Sequence, residues 1–279
     1  KGKLYFCGSV RANGGKSGLP AVYEIDPKTD EYKVVYQGLS SMQDYGAAYK
    51  QGISTGIRGM CVHDGQLVIS NVGKDAAGKF VSTILTSPDP SKGQDSFTEI
   101  ANSDTLFSYP AIRYQDSIYG GAIWDMVSYN GHLYATICTG TPENAPDDNS
   151  MQSFAMVRGD KNADGSYSWT PIVGDKADGA KYCFGIDPAR TRSGAANLVV
   201  YNDYLYIGEY NDEEIALERI LFNKSSTEEG GKSSMGGVDC SFVNANLEQS
   251  VNIYRMDKDE NMELVVGALI CSPRAVFPA

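Results

Sequence analysis

Two arginines, a tryptophan, an aspartate and an asparagine recur at related places in this 279-residue chain. Arg58, Trp124 and Arg274 stand at the head of short apolar runs, in the place where a fourth such run has Ala196; one residue further on come Asp125 and Asn197. A guanidinium fork binds carboxylates and an indole stacks on flat or apolar groups, so residues of these types gathered at one mouth would make a binding constellation. Arg113 and Tyr119, in a long connection, would extend it. The competing reading for Trp124 is packing between structural repeats, the commonest fate of a large aromatic. A separate stretch, Asp160-x-Asn162-x-Asp164-Gly165, sets three oxygen side chains at alternating positions before a glycine, as Ca²⁺ loops do. It lacks the closing glutamate, Pro171 standing in that place, and an ordinary Asx-rich hairpin turn is the preferred reading over Ca²⁺. With only two histidines, His63 and His132, a three-histidine metal site cannot be assembled.

The elements that would hold these residues follow from a repeat. Residues 60–70 read MCVHDGQLVIS, 126–136 MVSYNGHLYAT and 198–208 LVVYNDYLYIG, while 2–8, GKLYFCG, match the second half of the unit. Each is an alternating apolar run, a two-residue turn and another alternating run. Asp64-Gly65 and Asn130-Gly131 suit a type I′ hairpin, and Asn202-Asp203 is a weaker version. The leucines after the turns, Leu4, Leu67, Leu133 and Leu205, are 63, 66 and 72 residues apart. Two further strand-like runs follow each marker, giving four strands about every 66 residues and no convincing helix between them. Four antiparallel strands per repeat predict an all-β fold, a β-propeller of four-stranded blades, in preference to paired sandwiches. The expected blades are 1–37 completed by 272–279, then 57–101, 121–173 and 195–266, the last carrying an insertion at 222–249. The whole chain 1–279 then forms one domain, a ring closed by its C-terminal strand joining the N-terminal blade, unless it is an arc of a larger ring.

Composition narrows the function. Thirty-five acidic against 24 basic residues leave a net charge of −11, which disfavours a nucleic-acid partner held by phosphate contacts. No window offers the apolar length of a membrane span. The acidic, Tyr- and Gly-rich composition and an opening at Lys1 without a leader suit a secreted or cell-surface domain. Six cysteines, at 7, 61, 138, 183, 240 and 271, show no C-x-x-C pair; buried thiols and one or two disulfides are both open. His63 aligns with Tyr129 and Tyr201, which argues a structural role. Arg158-Gly159-Asp160 spells the integrin tripeptide, a three-letter match that chance supplies.

The turn Ser87-Pro-Asp89-Pro-Ser-Lys-Gly93 followed by Phe97 resembles a stretched Asp-box, the hairpin of sialidases and related propellers, and Asp164-Gly165 before Trp169 is a fainter echo. The resemblance is to secreted bacterial-type β-propeller proteins in general. It implies the fold, since the Asp-box in those families is structural, and says little about activity. A sialidase-like site could draw on Arg58, Arg113 and Arg274, but the family's arginine-isoleucine-proline sequence is absent. The expected function is a non-catalytic binding module for a glycan, peptide or protein on the face around the mouth. The alternatives are a carboxylate-dependent glycan hydrolase, with Asp125 or Asp187 as acid, and a structural segment of a larger surface protein.

Overall fold

The computed structural model describes residues 2–12, 17–38, 57–74, 80–106, 123–137, 154–174, 179–182, 195–210 and 252–266. Their strands fall into four antiparallel sheets. β1 (Leu4–Ala12), β2 (Ser17–Ile25) and β3 (Tyr32–Gln37) form a three-stranded sheet in chain order. β4 (Met60–His63), β5 (Gln66–Lys74), β6 (Phe80–Ser87) and β7 (Thr98–Asn102) form a four-stranded one. So do β8 (Ile123–Tyr129), β9 (His132–Ile137), β10 (Ala155–Lys161) and β11 (Tyr167–Val173). The fourth sheet holds β12 (Ala195–Tyr201), β13 (Tyr204–Tyr210), β14 (Ile253–Met256) and β15 (Met262–Val266). The first strands of the last three sheets meet, β8 packing between β4 and β12. Meanders whose leading strands converge are propeller blades, and the fold is an all-β propeller of four blades.

The hairpin chemistry explains the inner pairs. Asp64 and Gly65, and Asn130 and Gly131, all have positive φ, the backbone that a two-residue type I′ turn requires. Asn202 and Asp203 adopt the same turn at φ 47° and 63° without a glycine. Each blade also carries a register shift between its last two strands, at Val22/Tyr23, Ile84/Leu85, Met156/Val157 and Ile253/Tyr254. A bulge there bends the outer strand and raises its twist, and its recurrence is a second mark of the repeat.

Apolar alternation puts the core between blades. Val22, Val35 and Tyr36 pack on Leu67 and Ile69. Val68 and Ile84 pack on Met126, Leu133 and Val157. Tyr134, Met156 and Ile172 pack on Leu198, Ile207, Tyr254 and Met256. The remaining flanks of the first and fourth blades leave Leu4, Phe6, Tyr32 and Val34, and Val199, Tyr201 and Val265, exposed. The strand expected from 272–279 and the insertion 222–249 lie outside the described residues.

Polar side chains lock the blades at the opposite end from the mouth. In the turn after β14, Glu260 has φ 61°, which throws its carboxylate back onto the third blade. There it accepts from Tyr134 Oη at 2.9 Å and Arg158 Nη1 at 2.6 Å. Tyr182 Oη donates to the Glu260 carbonyl at 2.6 Å and accepts from the Met262 N–H at 2.8 Å. Between the first two blades Glu24 plays a related part, accepting from Tyr5 at 2.9 Å and from Ser91 at 2.5 Å. Burial pushes the Glu24 carboxyl up, but those two bonds and the Lys33 and Lys3 charges outweigh it and hold it below the ordinary glutamate value.

Candidate functional site at the mouth of the inner strands

Three of the residues expected at the mouth come together across three blades. The Arg58 guanidinium carbon lies 4.1 Å from the centroid of the Trp124 ring, on its face. Trp124 Nε1–H donates to Asn197 Oδ1 at 3.0 Å. Arg58 precedes β4, Trp124 lies in β8 and Asn197 in β12, so each inner strand contributes one group. A β-bulge sets this up: Ile123 pairs with Ile137 and Asp125 with Thr136, leaving Trp124 out of register in β8. A bulge re-aims a side chain, and here the indole is half-buried between two exposed polar neighbours, Arg58 and Asn197. Gly59 lies where β4 comes close to β8, and an added Cβ there would stand 3.1 Å from Met126 Cγ, so that side chain would have to shift.

Asp125 sits one residue on. Its Oδ1 accepts the Met126 N–H and its Oδ2 the Leu198 N–H, both at 2.8 Å. Burial raises its pKa, and the two backbone bonds oppose the rise. Both carboxylate oxygens are therefore engaged by backbone amides, one in its own blade and one in the next, which ties the third blade to the fourth. Thr136 completes the tie, donating to the Ala196 carbonyl at 2.6 Å and accepting from the Asp125 N–H at 3.2 Å. Ser70 stands at the same place of the second blade, three residues past the marker leucine, and accepts the Gly59 N–H at 2.9 Å. A hydroxyl at that position in two repeats is the signal that sequence reasoning passed over.

Arg113, Tyr119 and Arg274 lie outside the described residues, as does Asp187. Cys7 and Cys61 are free thiols in β1 and β4. Burial first, and the nearby Asp125 charge second, push Cys61 up to about 12, so it is not a nucleophile near neutral pH. His63 is buried, shares a 2.9 Å hydrogen bond with Ser128, and is held below its ordinary pKa by burial.

The residues considered for calcium are each taken up by other partners. Asp160 spends Oδ1 on His132 and Oδ2 on Arg158. Asn162 bonds the Ser166 and Ser168 hydroxyls at 2.9 and 3.1 Å, and Asp164 accepts from the Ser166 N–H and hydroxyl at 2.9 and 2.6 Å. The same Asx pattern closes the turns at Asp26 and Asp257, which makes it turn chemistry common to the repeats. Among the described residues no group of three or more His, Cys, Asp or Glu side chains is placed to hold a metal ion. The Arg158-Gly159-Asp160 triplet is strand β10 rather than a presented loop, with its two charges paired to each other.

The fold and this mouth define the class, a propeller with a polar, aromatic-centred cluster at the start of its inner strands. No protein-family model matches the chain, and no curated protein matches it in sequence. Among solved structures it is similar to a GH43_1 enzyme from Xanthomonas citri complexed with xylose, at 10% identity over 95% of this chain and 70% of that one, with a TM-score of 0.43. It is similar to the Penicillium chrysogenum alpha-L-arabinanase complexed with arabinobiose, at 11% identity over 95% of this chain and 63% of that one, with a TM-score of 0.42. Similarity to Trypanosoma rangeli sialidase in complex with the inhibitor DANA is 15% identity over 84% of this chain and 33% of that one, with a TM-score of 0.42. Likeness at this level carries no argument about the site, whose reading rests on its own residues.

Proposed function

We propose that the chain is a non-catalytic binding module that engages a glycan, peptide or protein partner at the mouth of its inner strands, through Arg58, Trp124 and Asn197. The observation that carries this is the line of three side chains from three blades, stacked and hydrogen-bonded to one another, with Arg58 and Asn197 both exposed. A surface ion pair or a core contact would account for an isolated arginine or tryptophan; neither accounts for the two together at a shared rim. Arg113, Tyr119 and Arg274 are proposed to flank the same ligand. Hydrolysis at this face is the weaker reading, because Asp125 holds backbone amides with both oxygens. The acidic, Tyr- and Gly-rich composition supports a secreted or cell-surface location, which fractionation of the native source with an antibody to the chain would test. The functional test is a glycan and peptide array probed with the wild type, Trp124→Ala and Arg58→Gln. Loss of the same signals in both variants, with unchanged melting, is expected; retention of every signal would contradict the placement.

A further inference from the structure

The hydrogen-bond polarity of the three mouth residues is fixed. An indole has one N–H and no acceptor, so the group facing Trp124 Nε1 at 3.0 Å must be the carbonyl oxygen of Asn197. The amide is thereby oriented with one lone pair of its oxygen engaged by the indole and its two Nδ2 hydrogens available as donors. A guanidinium likewise donates and never accepts. Arg58, Trp124 and Asn197 together therefore offer mostly donors, the second lone pair of the Asn197 oxygen being the one acceptor site among them.

Among the described residues, the charge of Arg58 has no ionic partner. Three arginines have described side chains. Arg158 pairs with Asp160 and Glu260, and Arg255 pairs with Glu263. Arg58 is exposed and, among the described residues, pairs with no carboxylate, although acidic residues outnumber basic ones 35 to 24. Asp125, the acid closest to the rim in sequence, has its oxygens occupied by the Met126 and Leu198 amides. Resting on the indole face, the guanidinium keeps an orientation without an anionic partner, so little side-chain entropy is lost when one arrives. A guanidinium over the ring keeps its N–H edge available as a fork, and a planar two-oxygen acceptor matches that fork in both geometry and charge.

We infer that the rim of Arg58, Trp124 and Asn197 is a carboxylate-binding subsite: a free carboxylate on the ligand meets the edge of the Arg58 guanidinium, Trp124 sets the orientation of both polar neighbours, and the Asn197 amide is the second donor. The inference rests on the mouth being the ligand face and names the chemistry that face selects. The carboxylate can come from an acidic sugar or from the end of a peptide, and the two sources are separable by small probes.

The experiment is calorimetric titration with two matched pairs, methyl glucuronide against methyl glucoside and N-acetylglycine against N-acetylglycinamide, on the wild type, Arg58→Gln and Arg58→Lys. The expected result is at least tenfold tighter binding of the acid in one pair, which identifies the source, with the preference abolished by Arg58→Gln and reduced by Arg58→Lys, which keeps the charge and loses the fork. Equal affinity within both pairs, no acid binding at all, or a preference unchanged in Arg58→Gln would overturn the inference. The array result with Trp124→Ala stands apart from all of these outcomes, so the carboxylate can fail while the mouth survives as the ligand face.

Discussion

Replacing Gly159 by alanine tests how the second and third blades are held together. Gly159 lies in β10 opposite Trp169 of β11, and the indole covers it. A Cβ built there would stand 2.7, 2.8 and 3.1 Å from three atoms of the Trp169 ring, closer than side-chain carbons approach. The ring has little room to retreat. Its Nε1–H donates to the Ile100 carbonyl of the second blade at 3.3 Å, and its face stacks on Tyr167 with centroids 6.0 Å apart. Overpacking of this kind costs about 1–3 kcal/mol, and breaking the Nε1 bond adds roughly 1 kcal/mol. Gly159→Ala should therefore lose about 2–4 kcal/mol, which in a domain of this size lowers Tm by roughly 3–7 °C. The sign is informative, since alanine in an open strand position would improve on glycine. Thermal and urea unfolding followed by circular dichroism and tryptophan emission measure it, and a neutral or stabilising Gly159→Ala would refute the idea that Trp169 is pinned between blades.

Three other outcomes follow from the same physical arguments. Asp203 holds a left-handed backbone in the turn where the other two hairpins have glycine, so Asp203→Gly should gain about 0.5–1 kcal/mol by denaturant titration; a loss would mean the Asp203 side chain has a duty of its own. Glu24 titrates below its ordinary value in the folded chain, so its share of stability is present above the unfolded pKa and drains away as pH falls through the folded one. Melts between neutral pH and roughly pH 3 should thus converge for wild type and Glu24→Gln at the acid end, and a constant gap would contradict the assignment. If residues 272–279 supply the missing strand of the first blade, deleting them should lower Tm and promote self-association along the unpaired edge of β1; light scattering and a melt identical to wild type would sink that expectation.

The strands and their order were legible because a two-residue turn of Asp-Gly or Asn-Gly between alternating runs has few structural solutions, and because the same unit recurs. That Arg58, Trp124 and Asn197 lie together was legible for the same reason: residues at one place in each repeat must meet if the repeats share an axis. The backbone bonds of Asp125 were not legible, because residue type cannot tell a carboxylate facing solvent from one that accepts an amide of its own strand and another of the adjoining blade. Trp124 and Asn197 were expected one position apart in the register; the bulge between Ile123 and Asp125 brings them together, and a bulge leaves no compositional trace there. Glu260 was invisible as an interblade lock since its reach depends on a positive φ in a turn that reads as an ordinary acidic loop.

The central claim is that ligand meets the chain at Trp124. The protein has only two tryptophans, so a ¹H–¹⁵N spectrum shows two indole resonances, one from the mouth and one from Trp169 between blades. On adding a ligand selected from the array, the account predicts a saturable shift of the Trp124 resonance with Trp169 unmoved. A ligand that binds while the Trp124 resonance stays in place would contradict it.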